Sequence, residues 1–455
     1  MNRDRLAGLA VIAGAAMVAV IGARDYAGGW NDGSRLATVE SVVDRGTLAI
    51  DDSIFVAVPS GGPSPYPPDD ADLGAHGTRD KLRIGDHFYS DKTPVPSLLI
   101  AAVYAGAKSS LGLDARRDPR RFCYWMTLAS SGLAFIVAVA SVFGFAGALG
   151  LAGTPRAVLT ASFAAATIAA SYARHVNQHV LLLAVAAALL FVLTPASDRP
   201  RRLLVAGALA GLGYSIDPLA GPLLFAAAGG LVVFRARRAS PIAWFAAGAL
   251  PWIALHHALN YRIGGSFAPN AVPEYLAWPG SPFDVSNMSG ILHHGPVDFF
   301  VYAAALLFGK RGFLFHDLPL LLMLPAAVAL ARAPIRERAE LLAIGVWCLG
   351  TWLSYALVSN NYSGACVSIR WFVPLLAAGY YVLAVFLREH PERLRDLVLL
   401  SVFGALIGAL AWWKGPWTTR LLPLYWPIVA AALVTWWIVG RLPPSPPKLQ
   451  NHPRM

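Results

Sequence analysis

Three charged residues stand at the edges of long apolar runs, where a charged side chain needs a local reason. Asp32 lies in the segment 30–35, directly after the first apolar run, and Lys92 stands just before the second. Arg370 comes just before a late apolar run. A carboxylate can take up a proton as a general base, and lysine and arginine side chains bind phosphate groups. These residue types therefore fit chemistry on a phosphate-bearing substrate at a membrane surface.

The residues that follow Asp32 have a helical pattern. Leu36, Val39 and Val43 are apolar at helical spacing, which predicts a short amphipathic helix lying on the membrane. Asp32 is then a candidate for the N-cap of this helix, and a cap explains an aspartate without any catalysis. The motif by itself leaves the catalytic and the capping role open.

The segment 85–94 leads into the second apolar run and contains Asp91 and Lys92. Lys92 either binds a lipid phosphate as a point charge or extends its ammonium group from the helix end to the interface. A surface pair between Asp91 and Lys92 would contribute little to stability. Pro94 suits the first turn of a helix, so a helix is predicted to begin there.

Two later segments place polar side chains between apolar runs. His175 and His179 have the spacing i, i+4, which can put two histidines on one helix face, but no carboxylate accompanies them. A polar turn is therefore favoured over a metal site. Arg370 ends the segment 360–370 on the predicted outer side, against the usual bias of positive charge, which indicates an anionic partner.

The composition identifies the class of protein in which these residues act. The chain has 455 residues, of which 56% are hydrophobic and 14% are charged, and its mean hydropathy is +0.53. Soluble domains carry about 25% charged residues, so this chain cannot cover a soluble surface. The net charge of +11 is scattered between apolar runs and forms no nucleic-acid-binding stripe. Three dispersed cysteines do not fit a disulfide framework. A polytopic membrane protein remains.

The apolar runs predict an all-α, polytopic bundle of transmembrane helices. The first run, from Leu6 to Gly22, is predicted to be an uncleaved span with its basic end inside, and a cleaved signal peptide is the alternative. The further runs lie at 94–110, 122–150, 155–172, 177–194, 201–217, 218–234, 241–258, 318–332, 338–358, 371–387, 394–413 and 421–440. With about 20 residues needed for each crossing, we expect about 12 spans. Residues 23–93 form a large first outer loop with short interfacial helices.

Arginine clusters in the second half of the chain set the predicted orientation. They recur at alternate connections, so a cytoplasmic position for all of them is consistent. The clusters lie at 235–238, 332–338, 388–395 and 441–448. This orientation makes 441–455 a cytoplasmic tail, and 259–317 and 359–370 outer loops, of a single transmembrane domain that covers 1–440.

Two clusters in the first half fit less simply. Residues 116–121 and 199–202 both contain arginines typical of cytoplasmic connections. Three apolar runs lie between the two clusters. If both clusters lie on the same side of the membrane, the chain between them must cross it an even number of times. One of the three runs is therefore expected to be broken, re-entrant or wrongly delimited. Near the C-terminus, Trp412, Trp413 and Trp417 predict an interfacial aromatic belt.

The order of these segments resembles the membrane-embedded glycosyltransferases of the GT-C fold, in particular the group of protein O-mannosyltransferases and lipid A aminoarabinose transferases. An aspartate two residues after a tryptophan follows the first span, and the segment 89–94 (Tyr-Ser-Asp-Lys-Thr-Pro) leads into the second. The segment 362–371 resembles a Tyr-x-Gly…Arg-Tyr segment of that group. The segment 308–314 resembles a Gly-Leu-Phe segment that precedes a later span. The chain departs from the pattern in its single acidic residue at 32 and in Asn-Gln-His at 177–179.

The resemblance implies transfer of a sugar from a polyprenyl-phosphate-linked donor to an acceptor hydroxyl at the extracytoplasmic face. Asp32 would be the general base, and Lys92 and Arg370 would bind the donor phosphate and stabilise it as the leaving group. Contacts to the sugar or acceptor are expected from Arg35, His87, Tyr89, Asp91, Asn177, His179 and Tyr362. No cofactor and no metal ligand is identified, and dependence on a divalent metal stays open.

The expected partners are the polyprenyl-phosphate sugar donor, membrane lipids and a glycan, lipid or protein acceptor, without nucleic acid. The expected location is the cell (inner) membrane, with both termini cytoplasmic. The alternatives are a transporter of lipid-linked sugars, a polymerase of envelope glycans, or a non-catalytic membrane assembly protein. A transporter would carry charges deep inside its spans, whereas here such charges are few and the polar groups cluster on one side. No internal repeat typical of transporters is visible in the sequence.

Overall fold

The fold is known from a computed structural model that describes residues 3–59, 63–194, 199–284 and 293–441. Most of these residues lie in α-helices, and one two-stranded hairpin is the β-structure that accompanies them. The expected helical membrane bundle is therefore confirmed, with the hairpin as an addition that the sequence analysis did not predict. The tail 442–455 lies outside the described residues.

Helices α1 to α20 follow one another along the chain. In order they are α1 (Arg3–Gly22), α2 (Trp30–Arg45), α3 (Ala71–His76), α4 (Pro94–Leu111), α5 (Pro119–Thr127), α6 (Leu133–Ala148), α7 (Gly153–Ala165), α8 (Ala169–Tyr172), α9 (Gln178–Leu193), α10 (Pro200–Ile216), α11 (Ala220–Arg235), α12 (Ala239–Gly264), α13 (Pro273–Leu276), α14 (Pro296–Phe308), α15 (Phe313–His316), α16 (Met323–Arg332), α17 (Arg338–Val358), α18 (Leu375–Glu389), α19 (Leu394–Lys414) and α20 (Tyr425–Arg441). A π-helical turn, Leu128–Gly132, joins α5 to α6. Turns of 3₁₀-helix lie at Leu318–Leu322, Arg370–Phe372 and Pro391–Arg393. Strands β1 (Lys81–Ile84) and β2 (His87–Ser90) form the antiparallel hairpin.

Several helices are long and apolar enough to cross a membrane. By length and composition the described residues contain five such helices, or six if one bent pair counts as a span. The five are Asp4–Gly22, Pro119–Ala148, Ala239–Gly264, Arg338–Val358 and Pro391–Lys414. The bent pair, Pro296–His316 with Leu318–Arg332, turns by 110°. The chain is thus a polytopic helical membrane protein, whereas the expected number of about 12 spans stays a prediction.

The predicted apolar runs coincide with helices, with two differences. The run 155–172 is broken, because α7 ends at Ala165 and α8 begins at Ala169. The predicted outer loop 259–317 is not a plain loop, because α12 extends to Gly264 and α14 lies within it. The apolar run of α14 is shorter than the roughly 20 residues of a span, so hydropathy alone does not identify it.

Glycines bring α10 and α12 into close contact. A Cβ atom at Gly207, Gly211 or Gly248 would collide with a backbone carbonyl oxygen of the opposite helix. The four-residue spacing of Gly207 and Gly211 is the small-residue pattern with which membrane helices pack. Lipid supplies little hydrophobic driving force between helices, so this close backbone approach is a main source of their association. It holds the ends of α10 and α12 beside each other, where the candidate site lies.

The first loop folds on an apolar core of its own. The side chains that pack in this core include Leu36 of α2, Phe55, Tyr104 of α4 and Phe122 of α5. Helix α2 forms where its apolar spacing predicts, but it is buried along most of its length and does not lie exposed on a surface. The core therefore fixes α2 against the end of the bundle.

Helix α4 meets the first loop at both of its ends. Near its start, Lys92 Nζ lies 2.6 Å from Asp80 Oδ2, and near its end Lys108 Nζ lies 2.6 Å from Asp44 Oδ1. A helix that crossed the bilayer could not reach the same loop at both ends, because the hydrocarbon core is about 30 Å thick. The predicted span at 94–110 is therefore corrected to a helix that lies beside α2.

The predicted cytoplasmic position of the arginines at 116–121 conflicts with the predicted outer position of the first loop, because the structure places both at one end of the bundle. Arg116 Nε lies 3.2 Å from Glu40 Oε1, and Arg120 Nε lies 3.9 Å from Asp25 Oδ2. Both carboxylates belong to the first loop, so this cluster lies at the same end of the bundle as that loop. The positive-charge bias misleads here because these arginines neutralise acidic side chains of the loop. With this cluster at the end of the first loop, the arginine pattern no longer requires an even number of crossings between residues 121 and 199.

Candidate active site

Two neighbouring cavities lie at the end of the bundle that the first loop covers. The first, the charged cavity, has a volume of about 240 Å³ and lies among the starts of α4 and α9, the connection between α10 and α11, α12 and the loop between α17 and α18. The second, the acidic cavity, has a volume of about 510 Å³ and lies between the start of α2, residues 70–80 and the same loop. Asn31, Arg370 and Trp371 line both cavities and form the boundary between them.

Lys92 is held at the charged cavity by two carboxylates. Its Nζ lies 2.6 Å from Asp80 Oδ2 and 2.5 Å from Asp91 Oδ2. Burial raises the pKa of the Asp91 carboxyl, while the Lys92 ammonium acts in the opposite direction. Ser34 Oγ also donates to Asp91 Oδ1 at 3.3 Å. Lys92 is thus fixed in place by α2 and the hairpin, unlike a lysine that extends freely to the interface.

A second cation, Arg35, is buried directly behind the charged cavity. Its Nη2 donates to Gln178 Oε1, and its Nε and Nη1 have no hydrogen-bond partner in the described part of the chain. Burial lowers the pKa of this guanidinium to about 10, with Asp91 acting in the opposite direction, so Arg35 stays charged at neutral pH. A buried charge with unpartnered donors is unfavourable, and an anion in the cavity would offset that cost.

Asp217 closes the inner wall of the charged cavity. Its Oδ1 accepts hydrogen bonds from two backbone N–H groups at the start of α11, at 3.0 and 2.9 Å, and from Tyr355 Oη at 3.0 Å. Its Oδ2 accepts a hydrogen bond from Gln178 Nε2 at 3.2 Å. Because Gln178 also bonds to Arg35, Asp217 fixes the amide group that orients the buried guanidinium.

A strained loop positions Arg370. Tyr362 and Ser363 have φ angles of 52° and 64°, although neither is glycine, and Gly364 follows with 78°. Such backbone costs about 1–3 kcal/mol per residue and persists only where its surroundings impose it. Ser363 Oγ accepts a hydrogen bond from Arg370 N at 3.1 Å and donates one to Ser368 O at 3.3 Å. The strained turn therefore holds the backbone from which the Arg370 side chain extends.

The Arg370 guanidinium lies at the boundary of the two cavities. Its Cζ lies 5.6 Å from the centroid of the Trp417 indole ring, and its Nε has no hydrogen-bond partner among the described residues. Arg311 supports the loop from behind, since its Nη1 donates to Gly364 O at 2.8 Å and its carbonyl accepts from Ser368 Oγ at 3.1 Å. Arg370 is thus a held cation with an unpartnered donor.

Asp32 is buried directly behind the part of the acidic cavity wall that Gly28 to Asn31 form. Its side chain is 1% exposed, and Oδ2 accepts a hydrogen bond from Gly28 N at 2.6 Å and lies 3.2 Å from His175 Nδ1. Oδ1 has no hydrogen-bond partner within the ranges described, and it lies beside Gly29, which lines the cavity. The N-cap of α2 is Gly29, because the helix begins at Trp30. The alternative that Asp32 is the N-cap is therefore wrong.

An apolar groove begins where the charged cavity ends. It has a volume of about 270 Å³ and is lined by α4, α6, α9 and α10. Leu99 and Val103 of its wall are 41% and 45% exposed. Thr93 of the charged cavity donates from Oγ1 to the carbonyl of Ile216 in the groove, at 2.7 Å. An apolar chain attached to a group in the charged cavity would fit this surface.

The structure brings five of the predicted site residues to the charged cavity. Asp91, Lys92, His179 and Arg370 line it, and Arg35 lies behind it through its bond to Gln178. These residues come from four separate parts of the sequence, and the fold places them around one space.

Four other predicted contact residues make structural contacts outside the lining of both cavities. His87 is 63% exposed in its side chain, and its Nδ1 lies 3.2 Å from Asp51 Oδ2. Tyr89 lies on the same strand and pairs in register with Leu82. Closeness in sequence to Lys92 does not place them at the cavity, because side chains alternate along a strand. Asn177 caps α9 by accepting from His179 N at 2.9 Å, and Tyr362 packs on Tyr302 at 4.9 Å.

The two histidines with i, i+4 spacing do not share a helix face. His175 precedes α9 and faces Asp32, whereas His179 lies within α9 with Nδ1 3.4 Å from Asp217 Oδ2. The chain turns between them at Asn177, which is why the helical spacing fails. Among the described residues, no group of three or more His, Cys, Asp and Glu is placed to hold a metal ion. The two histidines thus lie against two different carboxylates.

Sequence reasoning missed several residues of the site. Asp80 lies in an irregular stretch without a motif, and only the structure shows its pair with Lys92. For Asp217, an isolated carboxylate at the end of an apolar run, the sequence leaves open a solvated charge at a helix end or a cavity residue, and the structure places it in the cavity lining. Trp417, predicted to belong to an interfacial belt, packs against Arg370 instead.

The fold has a counterpart among solved structures. The crystal structure of ArnT from Cupriavidus metallidurans bound to undecaprenyl phosphate is similar over 94% of this chain and 75% of that chain, with a TM-score of 0.51 and 14% sequence identity. The structure of the same protein in the apo state gives a TM-score of 0.50 and 14% identity over 94% and 74% of the two chains. No family model and no curated protein sequence matches the chain. At this identity the likeness concerns the fold alone, and it confirms the resemblance to the GT-C fold that the order of the sequence motifs indicated.

Proposed function

We propose that the protein transfers a sugar from a polyprenyl-phosphate-linked donor to an acceptor hydroxyl at the extracytoplasmic face of the cell (inner) membrane. The observation that carries the proposal is the charged cavity, where Lys92 and Arg370 line a polar space directly beside an apolar groove. A lipid phosphate fits both parts, because its phosphate needs cations and its chain needs apolar surface. A protein of similar fold, ArnT, was crystallised with undecaprenyl phosphate.

Asp32 is the general base in this proposal. It takes the proton of the acceptor hydroxyl while the hydroxyl oxygen attacks the anomeric carbon of the donor sugar. The bond between that carbon and the phosphate oxygen breaks, and its electron pair leaves with polyprenyl phosphate. The unpartnered Oδ1 supports this role, because no other described donor competes for it.

Lys92 and Arg370 stabilise the charge that develops on the leaving phosphate. Because a single displacement exchanges the two groups at the anomeric carbon, its configuration inverts. The transition state resembles an oxocarbenium ion, as in glycoside hydrolysis. In this proposal the first loop lies at the extracytoplasmic face and both termini lie in the cytoplasm, so the acceptor approaches from the extracytoplasmic side.

The test is transfer of a radiolabelled sugar from its polyprenyl-phosphate carrier in proteoliposomes, with an envelope extract from deletion cells as the source of acceptor. Asp32→Asn should lower the transfer rate by about 10²–10⁴-fold, which is the usual contribution of a general base. Binding of polyprenyl phosphate, measured by native mass spectrometry, should be unchanged. Asp25→Asn is the matched control, since the Asp25 side chain lies in the same loop but is 48% exposed. Full transfer by Asp32→Asn would exclude this residue as the base.

The same experiment separates the alternative functions. Lys92→Ala and Arg370→Ala should weaken binding of the lipid phosphate, while Arg420→Ala, an exposed arginine, should not. A transporter would move the lipid-linked sugar across the bilayer without forming a new glycosidic bond. A non-catalytic assembly protein would show neither bond formation nor movement.

A further inference from the structure

One wall of the charged cavity is polar but contains no Asp, Glu, Lys or Arg among its described residues. Helix α12 and the loop that follows it form this wall, which we call the α12 wall, from His256, Asn260, Ile263, Pro269, Asn270 and Ala271. The charged residues that line the cavity belong to other elements, and they are Asp91, Lys92, Asp217 and Arg370. Phosphate binding and proton transfer involve none of the residues of the α12 wall, so its polar groups are left for another part of a ligand.

Two asparagines of the α12 wall are held in fixed orientations. Asn260 donates from Nδ2 to His256 Nε2 at 3.1 Å, and Asn270 donates from Nδ2 to the Asn260 carbonyl oxygen at 2.9 Å. Neither contact uses the Oδ1 atom of either side chain, and neither Oδ1 is among the buried side-chain atoms that lack a partner. A Cβ atom at Gly264 would collide with Asn270 Oδ1, so this glycine permits the approach of the Asn270 amide group. The two amide oxygens therefore remain as hydrogen-bond acceptors for a ligand.

His256 adds a hydrogen-bond donor to the same wall. The residue is 5% exposed and lines the cavity. Because Nε2 accepts from Asn260, the ring hydrogen is on Nδ1, which has no hydrogen-bond partner in the described part of the chain. The ring is held by edge-to-face contacts with Tyr214 and His257, at centroid distances of 5.8 and 5.1 Å. A buried N–H group without an acceptor is unfavourable, and a hydroxyl oxygen bound against this wall would relieve that cost.

A stacked pair of aromatic rings also lines the charged cavity. The rings of Tyr355 and Trp371 are nearly parallel, with centroids 4.4 Å apart and planes at 6°. The Tyr355 hydroxyl group donates to Asp217 Oδ1 at 3.0 Å, which fixes the pair from the inner side. The cavity thus combines rigid apolar surface with groups that donate and groups that accept hydrogen bonds. This combination suits a sugar, whose ring has C–H faces and whose hydroxyl groups both donate and accept.

The carboxylates of the cavity already have partners within the protein. Asp91 Oδ2 lies 2.5 Å from Lys92 Nζ, and Asp217 accepts hydrogen bonds from Tyr355 Oη and Gln178 Nε2. Neither carboxylate is left unpaired for an ammonium group of a ligand. A charged substituent against the α12 wall would meet no opposite charge there, and burying an unpaired charge is strongly unfavourable.

We propose that His256, Asn260 and Asn270 bind the sugar of the donor, and that this sugar is uncharged, with neither a free amino group nor a carboxylate. This inference rests on the proposed function and names the class of sugar that is transferred. The sugar is joined to the phosphate through one oxygen atom, so it lies in the same cavity as the cations that bind the phosphate. The two asparagine oxygens accept hydrogen bonds from its hydroxyl groups, and His256 donates one to it.

The test compares lipids that share one polyprenyl phosphodiester and differ in its substituent. The neutral set carries glucose, galactose, mannose or arabinose, and two further lipids carry glucosamine with a free amino group or glucuronate. Polyprenyl methyl phosphate has the same phosphodiester charge and no sugar. Native mass spectrometry measures their binding to the purified full-length protein. We expect the best neutral lipid to bind at least about tenfold more tightly than the two charged lipids and the methyl diester. Tighter binding of a charged lipid, or equal binding of all neutral lipids and the methyl diester, would overturn the inference.

Variants of the α12 wall test whether these residues make the contacts. Asn260→Ala and Asn270→Ala should each lower affinity for the preferred neutral lipid about tenfold. Affinity for polyprenyl methyl phosphate should stay unchanged, which shows that the variants are folded. Ser266→Ala is the matched control, because it removes an exposed hydroxyl group of the same loop and should change neither affinity.

A substitution that adds charge tests the selectivity directly. Ile263→Asp places a carboxylate on the α12 wall and should shift the affinity ratio at least about tenfold toward the glucosamine lipid. An unchanged ratio in Ile263→Asp, together with unchanged neutral-lipid affinity in both asparagine variants, would show that the sugar does not contact this wall.

The outcome for the proposed function is read separately. If a neutral lipid binds as expected but its sugar is transferred to no acceptor, the sugar site stands and the transferase function fails. If glucosamine or glucuronate is transferred from its lipid faster than every neutral sugar, the transferase function stands and the inference of an uncharged sugar is wrong.

Discussion

His175 Nδ1 lies 3.2 Å from Asp32 Oδ2, and both side chains are at least 95% buried. The second contact of that oxygen is the backbone N–H of Gly28, at 2.6 Å. Oδ2 thus accepts one hydrogen bond from the backbone and lies within ion-pair distance of the imidazole, while Oδ1 has no hydrogen-bond partner among the described residues. His175 therefore acts as a positioning residue for the proposed base.

Replacing His175 tests this positioning role. His175→Ala should lower kcat about 10²-fold, because a misplacement of about 1 Å costs that much, while the KM for the donor stays unchanged. His175→Asn should restore part of the rate, since its side-chain N–H can occupy the place of Nδ1. His87→Ala is the control, because His87 is exposed and pairs with Asp51. Equal losses in kcat for the Ala and Asn variants would contradict a positioning role.

Gly28 is needed for the close approach of the first loop to His175 and Trp417. A Cβ atom at this position would lie 2.8 Å from Trp417 Cδ1 and 2.9 Å from His175 Nδ1. Gly28→Ala should therefore lower the free energy of unfolding by about 1–3 kcal/mol through overpacking. Gly74→Ala is the control, since a Cβ there meets no atom within 4 Å. The Tm of each variant is measured by thermal unfolding followed by size-exclusion fluorescence. Equal Tm values for Gly28→Ala and Gly74→Ala would show that the first loop can shift to accommodate the added methyl group.

The sequence predicts where the helices lie in the chain better than it predicts how they are arranged in the fold. Hydropathy identifies an apolar run such as 338–358 because each crossing must bury its backbone polar groups in a helix. It does not separate α4, which pairs with the first loop through Lys92 and Lys108, from a true span. That distinction depends on ion pairs between residues 12 to 64 positions apart in the chain, which local patterns do not contain.

Only part of the site could be predicted from the sequence, again because local patterns do not contain contacts between distant residues. Lys92 and Arg370 carry a local signal, because a charge at the edge of an apolar run is unusual. Asp80 carries none, since aspartate is common in irregular segments, and its role arises only from the fold. Trp417 has the signal of an interfacial tryptophan, and its contact with Arg370 requires the strained loop that no sequence pattern announces.

Acidification should strengthen donor binding through Asp91. Burial raises the pKa of this carboxyl above its ordinary value, although Lys92 opposes the shift, and Asp80 and Arg35 also face the group. As the pH falls through the raised pKa, Asp91 becomes neutral and Lys92 loses one of its two carboxylate partners. The donor phosphodiester keeps its charge, so its affinity should rise by about tenfold, which corresponds to about 1.4 kcal/mol.

Protonation of Asp91 should also increase the free energy of unfolding. Because the folded protein holds the Asp91 proton more tightly than the unfolded chain, this group favours folding as the pH falls through its raised pKa. Donor binding measured as the pH is lowered stepwise from 7 checks the prediction, with Asp91→Asn as the comparison. The variant should bind tightly at each pH, and a pH dependence equal to that of the parent would assign the effect to another group.

Ser363 links the strained turn to the proposed phosphate ligand Arg370. Its Oγ accepts from Arg370 N at 3.1 Å and donates to Ser368 O at 3.3 Å, so Ser363→Ala removes both contacts while the φ of 64° keeps its cost. The partly buried N–H of Arg370 is then without its partner, at a cost of up to about 1–3 kcal/mol, the value for a fully buried group. We expect the turn to relax, Arg370 to move from Trp417, and affinity for polyprenyl phosphate to fall about tenfold or more. Ser110→Ala, which removes an exposed hydroxyl bonded to Gly106 O, is the matched control. Native mass spectrometry of lipid binding measures both variants, and unchanged affinity in Ser363→Ala would show that Arg370 is held without this turn.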